Sequence, residues 1–138
     1  MTTYDYELTR RRTVIARIKP ILLAELQANG IATVCITYDG EGDEGQISGT
    51  LCFDPTNARI ATFPAGVPNE ALAAEYPDAS NLPDVLESFA WDVIASQHDG
   101  FEINDGGYGD VTIDVAKGTI TLEHNERYID IHTEMTEI

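Results

Sequence analysis

Apolar residues recur at every third or fourth position in two segments of the chain, a spacing that places them on one face of a helix. In residues 3–30 that face consists of Leu8, Ile15, Ile18, Leu22 and Leu26. Pro20 removes a backbone donor within this segment, so we expect a kink or a break into two helices near residues 17–19, and the uninterrupted stripe favours the kink. Residues 82–97 carry a second stripe, with Pro83 in the first turn, where proline is accepted. The pattern therefore predicts two main helices.

Alternation of apolar and polar residues predicts strands in other parts of the chain. Residues 31–38 and 46–53 form a predicted hairpin with 39–46 as its connecting loop. Its apolar pairs are Ala32 with Phe53, Val34 with Leu51, and Tyr38 with Ile47. The opposite face is small and neutral, and it consists of Thr33, Cys35, Thr37, Ser48, Thr50 and Cys52.

A second hairpin is predicted around a turn at Lys117 and Gly118. Its inward pairs are Val115 with Ile120, Ile113 with Leu122, and Val111 with His124. Its outward pairs make a polar and acidic face, and they are Asp114 with Thr121 and Thr112 with Glu123. A last strand over 127–135 alternates again, and the side chains that it is expected to turn inward are Ile129, Ile131 and Met135.

These elements, with a candidate third strand at 58–63 and a short helix at 69–76, define the expected fold. It is an α+β fold with an antiparallel sheet of five to six strands, on which the kinked amino-terminal helix and the helix at 82–97 pack. A length of 138 residues and a hydrophobic content of 43% suit one core, so we predict a single domain over 1–138.

The chain is strongly acidic, with 24 acidic and 8 basic residues and a net charge of −16. Five of the basic residues lie in the first nineteen positions, so residues 20–138 carry a net charge of −19. Such a surface repels nucleic-acid phosphates and anionic lipids, which argues against direct binding of DNA, RNA or membranes except through the amino-terminal basic face. Basic partners are favoured.

The two cysteines are too few for a disulfide framework and lack a metal-binding spacing, so we expect free thiols in a reducing cytoplasm. Charged residues interrupt each apolar run near the amino terminus, among them Arg17, Lys19 and Glu25. We therefore predict neither a secretion signal nor a membrane span there.

Trp91 lies nearly opposite the centre of the apolar stripe on the second helix, beside Asp84, Glu87 and His98. Two interpretations are open. In the first, the amino-terminal helix or the irregular segment before residue 82 covers the indole, since large aromatic side chains are mostly buried. In the second, Trp91 is exposed and anchors a partner, as tryptophan does in many binding hot spots.

Residues 39–45 hold four carboxylates and three glycines. The acids at positions one, three and five of a calcium-type loop are Asp39, Glu41 and Asp43. However, Glu44 replaces the glycine of position six, and Thr50 replaces the glutamate of position twelve. Two interpretations follow: these three acids bind a divalent cation weakly together with Asp105, or they form a solvated hairpin tip.

The sequence carries no catalytic signature. The histidines lie on different elements without ligand spacing, and they are His98, His124 and His132. Cys35 and Cys52 lie within predicted strands, and no nucleophile elbow is present. The stretch NDGGYG lacks the spacing of a dinucleotide-binding loop. We therefore predict no cofactor and favour a non-enzymatic role.

Two stretches, YDGEGDEGQI at 38–47 and INDGGYGDVTIDVAKGTITLEHNER at 103–127, resemble a small bacterial family of unknown function that is associated with plasmids, phages and other mobile elements. The resemblance covers most of the chain, and its motifs are Tyr38-Asp39-Gly40, Gly42-Asp43, Gly45-Gln46, Asn104-Asp105-Gly106 and the run from Leu122 to Arg127. It implies no activity. Glu41 and Glu44 stand where the family pattern has small polar residues, which argues against a metal site built on them.

These observations favour a non-enzymatic acidic protein that occupies a basic, nucleic-acid-binding surface of a host protein, as an anti-restriction or anti-CRISPR inhibitor would. A compact domain of this length is roughly 37 Å across. Duplex DNA of that length carries roughly 22 phosphate charges, which is comparable with the charge of this chain. The predicted binding residues are Asp39, Glu41, Asp43, Glu44, Trp91, Asp105, Asp110, Asp114 and Glu123.

Two other functions remain open. The first is an oligomerisation or adaptor domain that uses Trp91 or the neutral strand face. The second is a divalent-cation-binding protein that uses Asp39, Asp43 and Asp105.

Overall fold

The computed structural model describes residues 3–41, 44–63, 65–67, 69–98, 107–126 and 132–138. Its elements are α1 (Thr3–Ala28), β1 (Thr33–Glu41), β2 (Glu44–Phe53), β3 (Arg59–Ile60), α2 (Glu70–Glu75), α3 (Leu82–His98), β4 (Gly107–Asp114), β5 (Thr119–Glu126) and β6 (His132–Glu137). The strands form one antiparallel sheet in the order β3-β2-β1-β4-β5-β6. The predicted α+β fold is confirmed, with a third, short helix beside the two long ones.

The helices pack against one face of the sheet, which we call the inner face. Along β4, buried residues alternate strictly with half-exposed ones, as expected for a strand with one covered face. The other face has no helix of the described chain over it, and we call it the open face. An antiparallel sheet can keep one solvated face in this way because hairpins join its strands without placing a helix on each face.

The helix α1 continues through Pro20 without a break. Its side chains that are buried in the core are Ile15, Ile18, Leu22 and Leu26, as predicted, and the predicted Leu8 lies where side chains are not described. The helix ends in a glycine cap, in which Gly30 has a φ of 71°. The Gly30 N–H donates to the Gln27 carbonyl at 3.1 Å, and the Ile31 N–H donates to the Leu26 carbonyl at 2.9 Å.

One hydrophobic core lies between the inner face and the helices α1 and α3. The sheet contributes fully buried side chains, namely Val34, Ile36, Val111, Ile113, Ile120 and Leu122. The helix α3 contributes Val85, Leu86, Phe89, Val93 and Ile94. Burial of each such side chain stabilises the fold by about 1.5–3 kcal/mol, so these residues hold the sheet against the helices.

The register of the hairpin between β1 and β2 differs from the prediction over half of its length. The observed pairs there are Thr33 with Phe53, Val34 with Cys52, Cys35 with Leu51, Ile36 with Thr50 and Thr37 with Gly49. Each pair is one residue away from the predicted register, which was wrong here. A register shift between Thr37 and Tyr38 restores the predicted pairing of Tyr38 with Ile47. A bulge of this kind leaves no mark in the apolar alternation.

This shift exchanges the two faces of β2, because a slip of one residue moves each side chain to the opposite face. Cys52 is buried, and Thr50 donates a hydrogen bond from Oγ1 to Glu87 of α3 at 3.4 Å, whereas Leu51 is 38% exposed on the open face. The predicted neutral face is therefore wrong for Thr50 and Cys52. The two thiols are free, as predicted, and they lie on opposite faces of the sheet.

The tip of this hairpin is shorter than the predicted loop over 39–46. Pairing continues through Asp39 with Gln46 and Gly40 with Gly45, and it ends with Glu41 opposite Glu44. The hydrogen bonds of the ladder are made by backbone groups and do not require apolar side chains. The polar, glycine-rich residues at the tip can therefore pair as strand residues.

The register between β4 and β5 is displaced by two residues from the predicted one. The observed pairs include Gly109 with His124, Asp110 with Glu123, Val111 with Leu122, Thr112 with Thr121, Ile113 with Ile120 and Asp114 with Thr119. A displacement of two residues preserves the faces, so the inward and outward assignments were correct. The turn spans 115–118 because the Lys117 N–H donates to Asp114 Oδ1 at 3.1 Å and the Gly118 N–H donates to the Val115 carbonyl at 3.2 Å.

The last strand is β6, His132–Glu137, and the first residues of the prediction, 127–131, lie outside the described residues. Met135 pairs with Glu123 on the open face and is 64% exposed, so its predicted inward position was wrong. Pairing with β5 decides which residues of β6 turn inward, and local alternation does not report that pairing. Ile129 and Ile131 lie outside the described residues. The candidate third strand shortens to β3, and the predicted short helix is α2.

Candidate functional site

Strand pairing arranges the open face in rows of side chains. The first row runs across four strands through Thr37, Asp110, Glu123 and Met135. The second row runs through Asp39, Tyr108, Asn125 and Thr133. Three of the predicted binding residues, which are distant in the sequence, therefore lie together in two adjacent rows.

The first row places two carboxylates directly opposite each other, because Asp110 and Glu123 are cross-strand partners. Like charges in this position destabilise a sheet. Thr37 Oγ1 donates to Asp110 Oδ1 at 2.7 Å, and Cys35 Sγ lies 3.9 Å from the same oxygen. Among the residues that the structure describes, neither Asp110 nor Glu123 forms an ion pair. The fold thus keeps a repulsive pair on its open face.

A shallow pocket with a volume of about 280 Å³ lies where the two rows meet. Its carboxylates come from three adjacent strands, and they are Asp39, Asp110 and Glu123. Ser48, Tyr108 and Asn125 also line it. Asn125 is only 7% exposed, and its amide is held by donation to the Tyr108 carbonyl at 3.4 Å and by a hydrogen bond from Thr133. The pocket is therefore a shallow concavity of the open face, and carboxylates from three strands lie at it.

A buried polar pair lies on the inner face at the same position along the strands. Tyr38 Oη is 2.6 Å from Nδ1 of His124, and the two rings are stacked with their centroids 5.8 Å apart. Burial, reinforced by the charges of Asp110 and Glu123, raises the pKa of Tyr38 well above its usual range. The sequence alone did not indicate this contact. The available signal was two side chains with polar atoms at inward positions of strands.

Neither thiol is activated. Burial, followed by the charge of Asp110, raises the pKa of the Cys35 thiol. Burial raises the pKa of Cys52 to about 11. A nucleophilic cysteine has a lowered pKa in an electropositive environment, so both side chains have the opposite character.

Asp114 lies further along the open face, opposite both Thr119 and Thr33. Its Oδ1 accepts the hydrogen bond from the Lys117 N–H, so it contributes to the turn and to the acidic surface. The described basic residues outside α1 are Lys117 in the turn and Arg59 on the edge strand β3. The open face is thus acidic over β1, β4 and β5.

The basic residues of α1 lie on the helical side of the molecule, where acidic residues face them. Arg17 Nη2 is 2.6 Å from Glu75 Oε2, and Arg11 Nη1 is 3.9 Å from Asp92 Oδ1. Burial raises the pKa of Asp92, opposed by the hydrogen bond from Tyr76 and by Arg11. The amino-terminal basic face is therefore partly neutralised within the chain.

Trp91 is half-buried and packs against the core on the helical side. It lines an open cleft with a volume of about 510 Å³ together with Ile47, Tyr76 and Glu87. The indole is thus neither fully covered nor fully exposed, which lies between the two interpretations of Trp91. The sheet separates Trp91 from the acidic rows of the open face.

The remaining predicted site residues belong to the loops. Asp43 and Asp105 lie outside the described residues, and Glu41 and Glu44 are described through their backbone pairing alone. Within the described part of the chain, no group of three His, Cys, Asp or Glu side chains is arranged to hold a metal ion. None of the helices in the described ranges is long and apolar enough to cross a membrane.

These features define an α+β domain with an antiparallel sheet that has one apolar face covered by helices and one acidic face over which no helix of the described residues lies. The chain belongs to the family of unknown function DUF6878, which matches residues 14–138 and so includes both acidic rows. No curated protein and no solved structure matches the chain. The resemblance to a family of unknown function is confirmed at this level.

Proposed function

We propose that this chain is a non-enzymatic binding protein whose open acidic face occupies a basic, nucleic-acid-binding surface of another protein. One observation carries the proposal: Asp39, Asp110 and Glu123 gather on the open face of the sheet, while the basic residues of α1 are on the helical side. In its most specific form, the proposed function is that of a mobile-element protein that inhibits a bacterial restriction or CRISPR protein.

The retained repulsion between Asp110 and Glu123 supports the proposal. Proteins tolerate locally unfavourable arrangements at functional sites when the arrangement serves binding. A cationic partner relieves the repulsion on contact, because its Lys and Arg side chains form charge-assisted hydrogen bonds with the carboxylates. These same cations otherwise hold phosphates, so the acidic face and nucleic acid compete for one surface.

The apolar side chains of the open face fit a protein partner. Leu51 and Met135 are the exposed large hydrophobic residues of the described chain, and both lie on this face. Their exposure gives a docked partner an apolar contact beside the charges. Charge complementarity accelerates association and makes it sensitive to salt.

The test is capture from a bacterial lysate on the immobilised chain, followed by elution with a duplex DNA oligonucleotide. We expect basic nucleic-acid-binding proteins to bind, to be released by the duplex, and to bind much less at about 200 mM than at about 50 mM salt. Asp110→Asn combined with Glu123→Gln should abolish capture.

The matched control is Glu70→Gln combined with Asp78→Asn, which removes two exposed acids from the helical side and changes the net charge equally. Capture by this control should persist. Capture that survives the open-face substitutions, or that the duplex does not displace, would exclude the proposed function.

A second function, self-association or adaptor binding through apolar contacts, is favoured by the exposure of Leu51 and Met135 alone. Apolar interfaces respond little to ionic strength. Sedimentation equilibrium of the chain at both salt concentrations distinguishes the two: a dimer whose stability is independent of salt and is lost on Met135→Gln supports this second function.

A further inference from the structure

The strand β6 forms one edge of the sheet. It pairs with β5 on one side, and no strand of the described chain pairs with its other side. Directly after β6, the Ile138 N–H donates to the Ile120 carbonyl at 2.7 Å, so these two residues form a hydrogen-bonded pair of the ladder. Hydrogen-bonded and non-hydrogen-bonded pairs alternate in an antiparallel ladder, so this bond fixes the direction of the backbone groups along β6.

The backbone N–H and C=O groups that point away from β5 belong to every second residue, namely Thr133, Met135 and Glu137. The side chains of the same three residues lie on the open face, and all three residues are exposed. A strand that pairs with this edge therefore continues the rows of the open face by one position. Proteins recognise extended peptide segments in this way, with main-chain bonds for affinity and side-chain contacts for selectivity.

The two edges of the sheet differ in regularity. At the opposite edge, β3 covers only the end of β2, and β2 carries the extra residue of the register shift, Ser48. A bulge twists an edge strand and so hinders pairing with another chain. The six residues of β6 pair with β5 without any shift and include no proline. The edge of β6 is therefore the regular one.

Charge decides which kind of strand fits this edge. Glu134 and Glu137 belong to β6, and Glu123 lies beside Met135 on the neighbouring strand. A second copy of the chain would bring another net charge of −16, and charges of the same sign repel each other. A basic segment is attracted instead. We propose that the edge of β6 binds an extended basic segment of the partner protein as an additional antiparallel strand, an inference that rests on the proposed function.

The pairing indicates the chemistry of that segment at each position. In the register centred on Met135, its five residues lie in turn opposite Glu137, Thr136, Met135, Glu134 and Thr133. Lysine or arginine suits the first and fourth positions, because cross-strand pairs of opposite charge stabilise a sheet. A β-branched apolar residue suits the third position, and threonine suits the second and fifth. Lys-Thr-Val-Lys-Thr is therefore a suitable probe.

The experiment is a nuclear magnetic resonance titration of the full chain with this pentapeptide, acetylated and amidated at its ends. We expect saturable shifts of the backbone amides of Thr133, Met135 and Glu137. Two N-methylated versions of the peptide test the main-chain bonds. Methylation at the third and fifth positions removes N–H groups that point toward β6 and should weaken binding by about tenfold or more.

Methylation at the second and fourth positions is the matched control. These N–H groups point away from β6, so the affinity should stay within about threefold of that of the parent peptide. The peptide Glu-Thr-Val-Glu-Thr tests the charge and should bind at least about tenfold more weakly than the lysine peptide.

Met135→Pro tests the same bonds from the side of the protein. This substitution removes an N–H that lies outside the ladder with β5, at an edge position where proline is accepted. Binding of the lysine peptide should weaken by about tenfold, while the amide spectrum keeps the dispersion of a folded chain. The comparison of the methylated peptides uses the unaltered chain and does not depend on the folding of this variant.

Three results would overturn the proposal. They are the absence of a saturable response at the amides of β6, equal affinity for the two methylated peptides, and equal affinity for the acidic peptide. The last result would favour a second copy of the chain as the occupant of the edge.

This outcome can be separated from failure of the proposed function. If the chain captures proteins that DNA displaces but its edge does not distinguish the methylated peptides, the edge site is wrong and the proposed function stands. If the peptides bind the edge as expected but the lysate capture fails, the edge site stands and the proposed function is wrong.

Discussion

Tyr38 and His124 form a hydrogen bond across a strand that lies between them. Tyr38 is on β1 and His124 is on β5, and both pair with Gly109 of the intervening strand β4. The Oη to Nδ1 distance is 2.6 Å, and both side chains are at most 1% exposed. The absence of a side chain at Gly109 leaves the space through which the Tyr38 hydroxyl reaches the imidazole. Three strands are thus joined by one buried polar contact directly behind the acidic rows.

We predict that Tyr38→Phe destabilises the fold by about 1–3 kcal/mol, because it leaves a buried imidazole nitrogen without this hydrogen bond. His124→Leu should cost less, because the Tyr38 hydroxyl still donates to the Glu123 carbonyl at 3.3 Å. The measurement is the free energy of unfolding in urea for both single variants and for the double variant.

The double-mutant cycle serves as its own control. A coupling energy of about 0.5–3 kcal/mol between the two sites is expected for groups in direct contact. Strictly additive effects would mean that the two side chains contribute independently and that the contact does not stabilise the sheet.

We predict that Gly109→Ala is strongly destabilising. A Cβ atom at this position would lie 1.9 Å from the Glu123 carbonyl oxygen and 3.0 Å from the Tyr38 hydroxyl. The closest atom belongs to the backbone and cannot rotate away, so the cost should reach or exceed the roughly 1–3 kcal/mol that is usual for overpacked cores. Thermal unfolding of the variant measures this loss.

Gly49→Ala is the matched control, because Gly49 also lies in the sheet and a Cβ atom there meets nothing within 4 Å. Its unfolding temperature should stay close to that of the parent chain. If both alanine variants behaved alike, close approach at Gly109 would not be the cause of the effect.

We predict that stability falls at alkaline pH, partly through Cys52. Burial raises the pKa of this thiol from 9.0 to about 11, so the folded state retains a proton that the unfolded state has already lost. The contribution is fully present below pH 9 and is lost as the pH rises toward about 11. Tyr38 and Tyr76, whose pKa values burial also raises, add to the decline above the usual tyrosine pKa.

Urea unfolding at a series of pH values from 9.0 to about 11 measures this effect, because these are the pKa values of the thiol in the unfolded and folded states. In Cys52→Ala the free energy of unfolding should fall less steeply with pH, by up to about 1.4 kcal/mol per pH unit. The variant should also be less stable at neutral pH, because a buried side chain is truncated. A slope equal to that of the parent chain would show that Cys52 does not titrate differently in the two states.

The helices were largely predictable, because their stripes are local and long. The predicted helix at 82–97 corresponds to α3, and the stripe of α1 runs through Pro20 without interruption. The faces of β4 and β5 were also predictable, since a period of two assigns them independently of register. Strand register was less predictable: it was one residue out over part of β1 and two residues out between β4 and β5.

In the candidate site too, the directions of the side chains were predictable and their positions relative to one another were not. Asp110, Asp114 and Glu123 were predictable as outward acids, because they alternate with buried apolar residues on their strands. Their position beside Asp39 was not predictable, because it depends on the pairing of β1 with β4, which are separated by 65 residues of intervening chain or more along the sequence. Met135 was misplaced for the related reason that its face depends on the register of β6 against β5.

The sequence by itself determined the element types, the alternation of buried and outward residues, and the excess of negative charge, because these follow from local periodicity and composition. Only the tertiary structure decided that Tyr38 reaches His124 over Gly109, that Asp110 opposes Glu123, and that Leu51 and Cys52 exchange faces. The physical reason is that backbone ladder bonds form with equal ease in many registers. Packing of the whole sheet against the helices selects one of them.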